Sequence, residues 1–167
     1  IRESLGRPIE KSDIGTWDEN IPGTDTNIKT EIEHAHQDQK HVLSMPVIDQ
    51  AKAIVQSLHS DGYTIKISTH RNDVSDDATI DWLSLNSIPY DEYINVNGSS
   101  KAILDADVLI DDYPGNIEDF VDSGRPGVLF LQPWNQSHLI SGRDKIYTAN
   151  SWTEIPEILD KIKNCST

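Results

Sequence analysis

Apolar positions fall into two alternating rhythms after residue 45. Val47, Ile48, Ala51, Ile54, Val55 and Leu58 recur at helical spacing behind Pro46, and Gly62 follows as a stop. Tyr63 to Ser68 alternates like a strand, and Asp76 to Leu85 returns to helical spacing with Ile80, Trp82 and Leu83 facing inward. Glu92 to Val96 reads as a short strand closed by the turn pair Asn97-Gly98, and Ser99 to Leu104 as a short helical segment. Val108-Leu109-Ile110 is an apolar run that ends in two aspartates. A helix through Ile117 to Val121 ends at Gly124, and Gly127 to Leu131 suits a buried strand. Lys145 to Thr148 is a last strand, and Ile155 to Ile162 a last helix with Pro156 in its first turn. About five strands alternating with helices after residue 60 predict an α/β fold: a parallel sheet covered on both faces.

The first 45 residues are more polar. A helix is expected from Asn27 to Val42, where His34 and His41 share a face and His36 does not. A solvated helix is the better reading of these histidines than a metal site.

Composition narrows the function classes. The 167 residues suit one domain, or one core with a small appendage, and 36% hydrophobic residues supply a real core. No stretch approaches the roughly 20 consecutive apolar residues of a membrane span, and no signal-peptide pattern opens the chain. The first residue is Ile1, so a processed, trimmed or incomplete sequence is expected. The net charge of −14 disfavours a nucleic-acid polymer as partner and reads as a solvated acidic surface, while a small phosphate ester remains compatible. The single cysteine, Cys165, rules out an intrachain disulfide and fits a reducing cytoplasm. The triplets Asn97-Gly98-Ser99 and Asn135-Gln136-Ser137 match a glycosylation pattern by chance.

Ligands of open parallel α/β sheets bind at the carboxyl ends of strands. There the sequence sets Ser68, Thr69, His70 and Arg71, then Lys101, then Asp111 and Asp112. Hydroxyl, guanidinium, ammonium and paired carboxylates form a kit for a phosphate held beside a divalent cation. Each element has a plainer alternative. Thr69 can cap the turn after its strand, Lys101 can be a surface lysine, and the aspartate pair can cap the next helix. The ordered set at successive strand ends is what favours the chemical reading.

Ile65 to Arg71 resembles the second motif of the haloacid dehalogenase (HAD) superfamily, an apolar strand ending in Ser or Thr. Lys101 resembles its third motif, and Asp107 to Asp112 its fourth, an apolar strand ending in an acidic pair. Gly127 to Asn135 looks like the strand and loop that follow in the 5′(3′)-deoxyribonucleotidase, or type C 5′-nucleotidase, branch. Residues 46 to 150 carry most of the likeness; Leu5-Gly6, Asp13-Ile14 and Trp17-Asp18 resemble that branch's small helical cap more loosely.

The resemblance implies an HAD-like Rossmannoid core over 46–167, with a cap segment over 1–45. It implies a Mg²⁺-dependent phosphomonoester hydrolase working through an aspartyl-phosphate. Thr69 and Lys101 would be catalytic, Ser68, His70 and Arg71 would line the substrate side, and Asp111 and Asp112 would hold Mg²⁺. The substrate would be a (deoxy)nucleoside monophosphate, with no nucleic-acid polymer and no membrane as partner; a homodimer stays open. The family's first motif, Asp-x-Asp on a central strand, has no match here, since Ser12 to Thr16 follows no buried strand and puts Gly15 where the second aspartate belongs. The expectation is therefore a nucleophile encoded upstream of Ile1. A catalytically inactive binding or regulatory domain on the same scaffold is the alternative. A receiver domain needs the acidic pair first and the lysine last, the reverse of the order here. Gly98-Ser99-Ser100-Lys101 lacks the spacing of a P-loop.

Overall fold

The structure, a computed structural model, describes residues 14–16, 20–21, 23–136 and 143–165. Leu5, Gly6, Asp13, Trp17, Asp18 and Ser137, which entered the sequence reading, lie outside the described residues.

Two helices open the described chain, α1 (Ile28–Gln37) and α2 (Gln39–Ser44). The expected single helix from Asn27 to Val42 is broken at Asp38. This residue has extended backbone, and its carboxylate accepts from the amides of Lys40 and His41, which starts a new helix. Helix α3 spans Ala51–Ser60. Val47 and Ile48, expected in its first turn, precede it. Gly62 follows at φ +90, a left-handed conformation that glycine adopts without a Cβ penalty.

The α/β part then runs β1 (Lys66–Thr69), α4 (Asp76–Leu85), β2 (Glu92–Asn95), β3 (Leu109–Asp111), α5 (Pro114–Asp122), β4 (Gly127–Phe130), β5 (Ile146–Ala149) and α6 (Ile155–Cys165). Among the described residues the strand pairings are parallel: β1 with β2, β3 with β4, and β4 with β5. The expected single sheet is divided. One ladder is β1-β2 and the other β3-β4-β5, with no ladder among the described residues joining β1 to β3.

Alternation along β4 directs its side chains to two cores. Val128 and Phe130 join Leu58 of α3 and Ile155, Ile158, Leu159 and Ile162 of α6. Leu129, with Leu109 of β3, joins Ile117 and Phe120 of α5. Helices thus cover both faces of the larger sheet. Gly127 admits α5 closely: a Cβ there would meet Ile117 Cγ2 at 3.0 Å. Within each ladder the parallel strands finish on one side, Thr69 with Asn95 and Asp111 with Phe130, and Lys101 bonds both the Ser68 carbonyl and Asp111.

Candidate active site

The loop after β2 delivers the lysine. Asn97 (φ +32) and Gly98 (φ +82) reverse the chain as the turn pair predicts. Ser100 then caps a short 3₁₀ turn, Lys101–Ile103, by accepting from the Ala102 amide at 3.2 Å. This turn aims Lys101 inward, and the residue is only 8% exposed. Its Nζ donates to Asp111 Oδ2 at 2.7 Å and to the Ser68 carbonyl at 3.3 Å. One ammonium thereby ties the end of β1 to the end of β3, across the line where the two ladders are not joined. The surface-lysine alternative does not describe this residue.

The aspartate pair divides its work. Asp111 Oδ2 accepts from Lys101 and also from Asn116 Nδ2 at 3.1 Å, while Oδ1 accepts from the Tyr113 amide at 2.8 Å. Asp112 Oδ2 accepts from the Trp134 indole at 3.2 Å. Burial, reinforced by the adjacent Asp111 charge, raises the Asp112 carboxyl above the usual carboxylate range, and Trp134 and Lys101 oppose that rise. The charged form is short of stabilisation, and a cation would provide it. Two adjacent carboxylates suit Mg²⁺, which keeps several waters and takes one or two carboxylates plus substrate phosphate oxygens. No group of three or more His, Cys, Asp or Glu side chains that could cage a metal occurs among the described residues.

The residues after β1 point in different directions. Thr69 Oγ1 accepts from the Arg71 amide at 3.0 Å, so it does cap its turn, and its hydroxyl hydrogen is left to donate elsewhere. His70 Nε2 lies 3.0 Å from the Ser99 carbonyl, and must carry a hydrogen to bond it. That contact ties the β1 loop to the β2 loop at an exposed position. Arg71 folds back onto α4, donating to Thr79 Oγ1 at 3.0 Å. Burial lowers its pKa, and no ion pair to a described carboxylate relieves it. A cavity of about 280 Å³ lies beside this end of β1, lined among others by Val55, Ile67, Thr69, Arg71, Trp82 and Trp152. The indole Nε1 of Trp152 is buried there without a hydrogen-bond partner among the described residues.

Sequence reasoning missed Asn116, Trp134 and Asn135 as site residues. Asn135 is fully buried. Its Oδ1 accepts from the Gln132 amide at 2.9 Å, and its Nδ2 donates to the Asp112 carbonyl at 2.7 Å and the Phe130 carbonyl at 2.9 Å. The signal for Trp134 and Asn135 was their place just past an apolar strand, in the loop that resembles the deoxyribonucleotidase branch.

A parallel α/β core with a hydroxyl, a buried lysine and an acidic pair at one set of strand ends defines an HAD-like phosphatase fold. The whole chain fits that class: residues 2–164 match the family described as 5′ nucleotidase, deoxy (pyrimidine), cytosolic type C protein, and the chain belongs to this family. No curated protein matches the sequence. Membership makes the chain a nucleotidase-type phosphatase, with a nucleoside monophosphate as its class of substrate. No helix among the described residues is long and apolar enough to cross a membrane.

Proposed function

We propose that this chain is the core of a Mg²⁺-dependent 5′(3′)-deoxyribonucleotidase, which hydrolyses deoxynucleoside monophosphates through an aspartyl-phosphate. The observation that carries the reading is the Lys101 bridge between Asp111 and the Ser68 carbonyl. A buried ammonium beside an acidic pair suits the charge of a phosphoryl group in transfer, which spreads over its equatorial oxygens.

In this reading the Thr69 hydroxyl donates to one phosphoryl oxygen, and Lys101 neutralises a second. Asp111, held by Lys101, Asn116 and the Tyr113 amide, keeps Lys101 oriented. Asp112, with a less occupied carboxylate, is the principal metal ligand, and Asp111 completes the pair directly or through water. Bound Mg²⁺ would act as a Lewis acid on the phosphoryl oxygens. His70 and Arg71 border the substrate side. The nucleophile is a carboxylate on a strand seated between β1 and β3, and no described residue supplies it. The absence, among the described residues, of a ladder joining β1 to β3 supports such a strand, because its backbone would pair with both edges. The family description favours deoxypyrimidine substrates and a cytosolic setting, and the exposed lone Cys165 fits the latter.

The test is hydrolysis of deoxynucleoside monophosphates with and without Mg²⁺, using the protein with every residue its gene encodes. Metal-dependent release of phosphate supports the enzyme. Nucleotide binding without turnover would favour the inactive binding domain instead.

A further inference from the structure

The loop after β4 grips Asp112 twice. Asn135, fully buried, holds the Asp112 carbonyl at 2.7 Å and fixes the loop through the Gln132 amide and the Phe130 carbonyl. Trp134, its chain neighbour, donates its indole N–H to the Asp112 carboxylate at 3.2 Å. Main chain and side chain of one aspartate are therefore held by consecutive residues 22 and 23 positions away. The hydrogen-bond partners of the Asp111 carboxylate are Lys101, Asn116 and the Tyr113 amide, which come from other segments.

We propose that Trp134 is a positioning residue for the cation site, orienting the Asp112 carboxylate for metal while Asn135 anchors the backbone behind it. The inference rests on Asp112 being a metal ligand. An indole is suited to this task. It is rigid, it donates one hydrogen bond and accepts none, and it cannot itself compete for the metal. It holds Oδ2 from one side and so fixes the plane of the carboxylate. Hydrogen bonds to a ligating carboxylate commonly govern metal affinity by about 10–100-fold.

The experiment measures Mg²⁺ binding by titration calorimetry and Mn²⁺ binding by electron paramagnetic resonance, on the full-length protein. Trp134→Phe keeps an aromatic ring, smaller than the indole, and deletes the N–H. It should raise the dissociation constant for both ions by about 10-fold while leaving the metal-free melting temperature near wild type. Its loss of turnover should be concentrated at sub-saturating Mg²⁺. Trp134→His restores a ring N–H and should recover part of the affinity. A Trp134→Phe protein that binds both ions as tightly as wild type, while Asp112→Asn does not bind them, would overturn the positioning role and leave the metal site intact. Unchanged binding in Trp134→Phe and Asp112→Asn alike would remove the metal site itself, and the proposal with it. If Trp134→Phe unfolds, equal weakening by Trp134→His and by a folded Trp134→Leu would count against the hydrogen bond as the cause.

Discussion

Lys101 Nζ lies 2.7 Å from Asp111 Oδ2, and both side chains are almost fully buried, at 10% and 6% exposure. A buried pair of this kind is not primarily a stability device, because desolvation consumes much of its Coulombic gain. Its placement at the strand ends matters more. The ammonium also touches the Ser68 carbonyl, so the ends of β1 and β3 share one cation.

Asp112 should trade stability for metal binding. Burial and Asp111 raise its pKa, so the folded protein holds that proton more tightly than the unfolded chain does. Stability must then fall as pH rises from the ordinary carboxylate range through the raised value. Asp112→Asn should remove that part of the pH dependence and raise the metal-free melting temperature near neutral pH. The same variant should lose Mg²⁺ affinity. Melting curves from pH 4 to 8, with and without Mg²⁺, check both halves.

His36 should report on acid instability. Burial, then the nearby charges of Arg71 and His41, lowers its pKa to about 4. The folded state favours neutral imidazole, while the unfolded chain takes up a proton near the ordinary histidine value of about 6.5. Its contribution is therefore complete above that value and is lost as pH falls toward 4. Histidine NMR titration should find the His36 imidazole still neutral at pH 5. His36→Gln should flatten the stability slope between pH 6.5 and 4.

Asn135 should behave as a buried polar keystone. Asn135→Ala strands the Gln132 amide and the Asp112 and Phe130 carbonyls, which the asparagine satisfies. At ~1–3 kcal/mol for each buried group left unpaired, the loss should be about 3 kcal/mol or more, less whatever water recovers. Urea denaturation measures it directly.

Much of this was readable in the chain because local signals agreed with the fold. Asp76 to Leu85 has helical spacing and acidic residues in its first turn, and the helix runs over those same residues. The apolar runs at 108–110 and 127–130 form strands whose side chains alternate between two cores. What was not readable depends on tertiary partners. Asp38 splits a periodic helix through two short-range bonds that periodicity cannot reveal. Asn116 carries no motif of its own, and Trp134 and Asn135 were legible only as part of a family-like loop, without roles. Their roles exist only because α5 and the loop after β4 converge on the aspartate pair. The division of the sheet falls between the second-motif and fourth-motif strands, where the resemblance places the central strand that has no match in the sequence.

The most direct measurement of the central claim is the turnover of a deoxynucleoside monophosphate by Lys101→Ala, with Mg²⁺ present and every encoded residue in place. A lysine facing the phosphoryl group acts mainly on the transition state, so kcat should fall by about 10²-fold or more, on the order of 3 kcal/mol. Lys101→Arg should recover only part of the rate, because a planar guanidinium does not reproduce a compact ammonium between Asp111 and the Ser68 carbonyl. Wild-type turnover by a folded Lys101→Ala protein would contradict the account, leaving the Lys101–Asp111 pair a structural tie between strands.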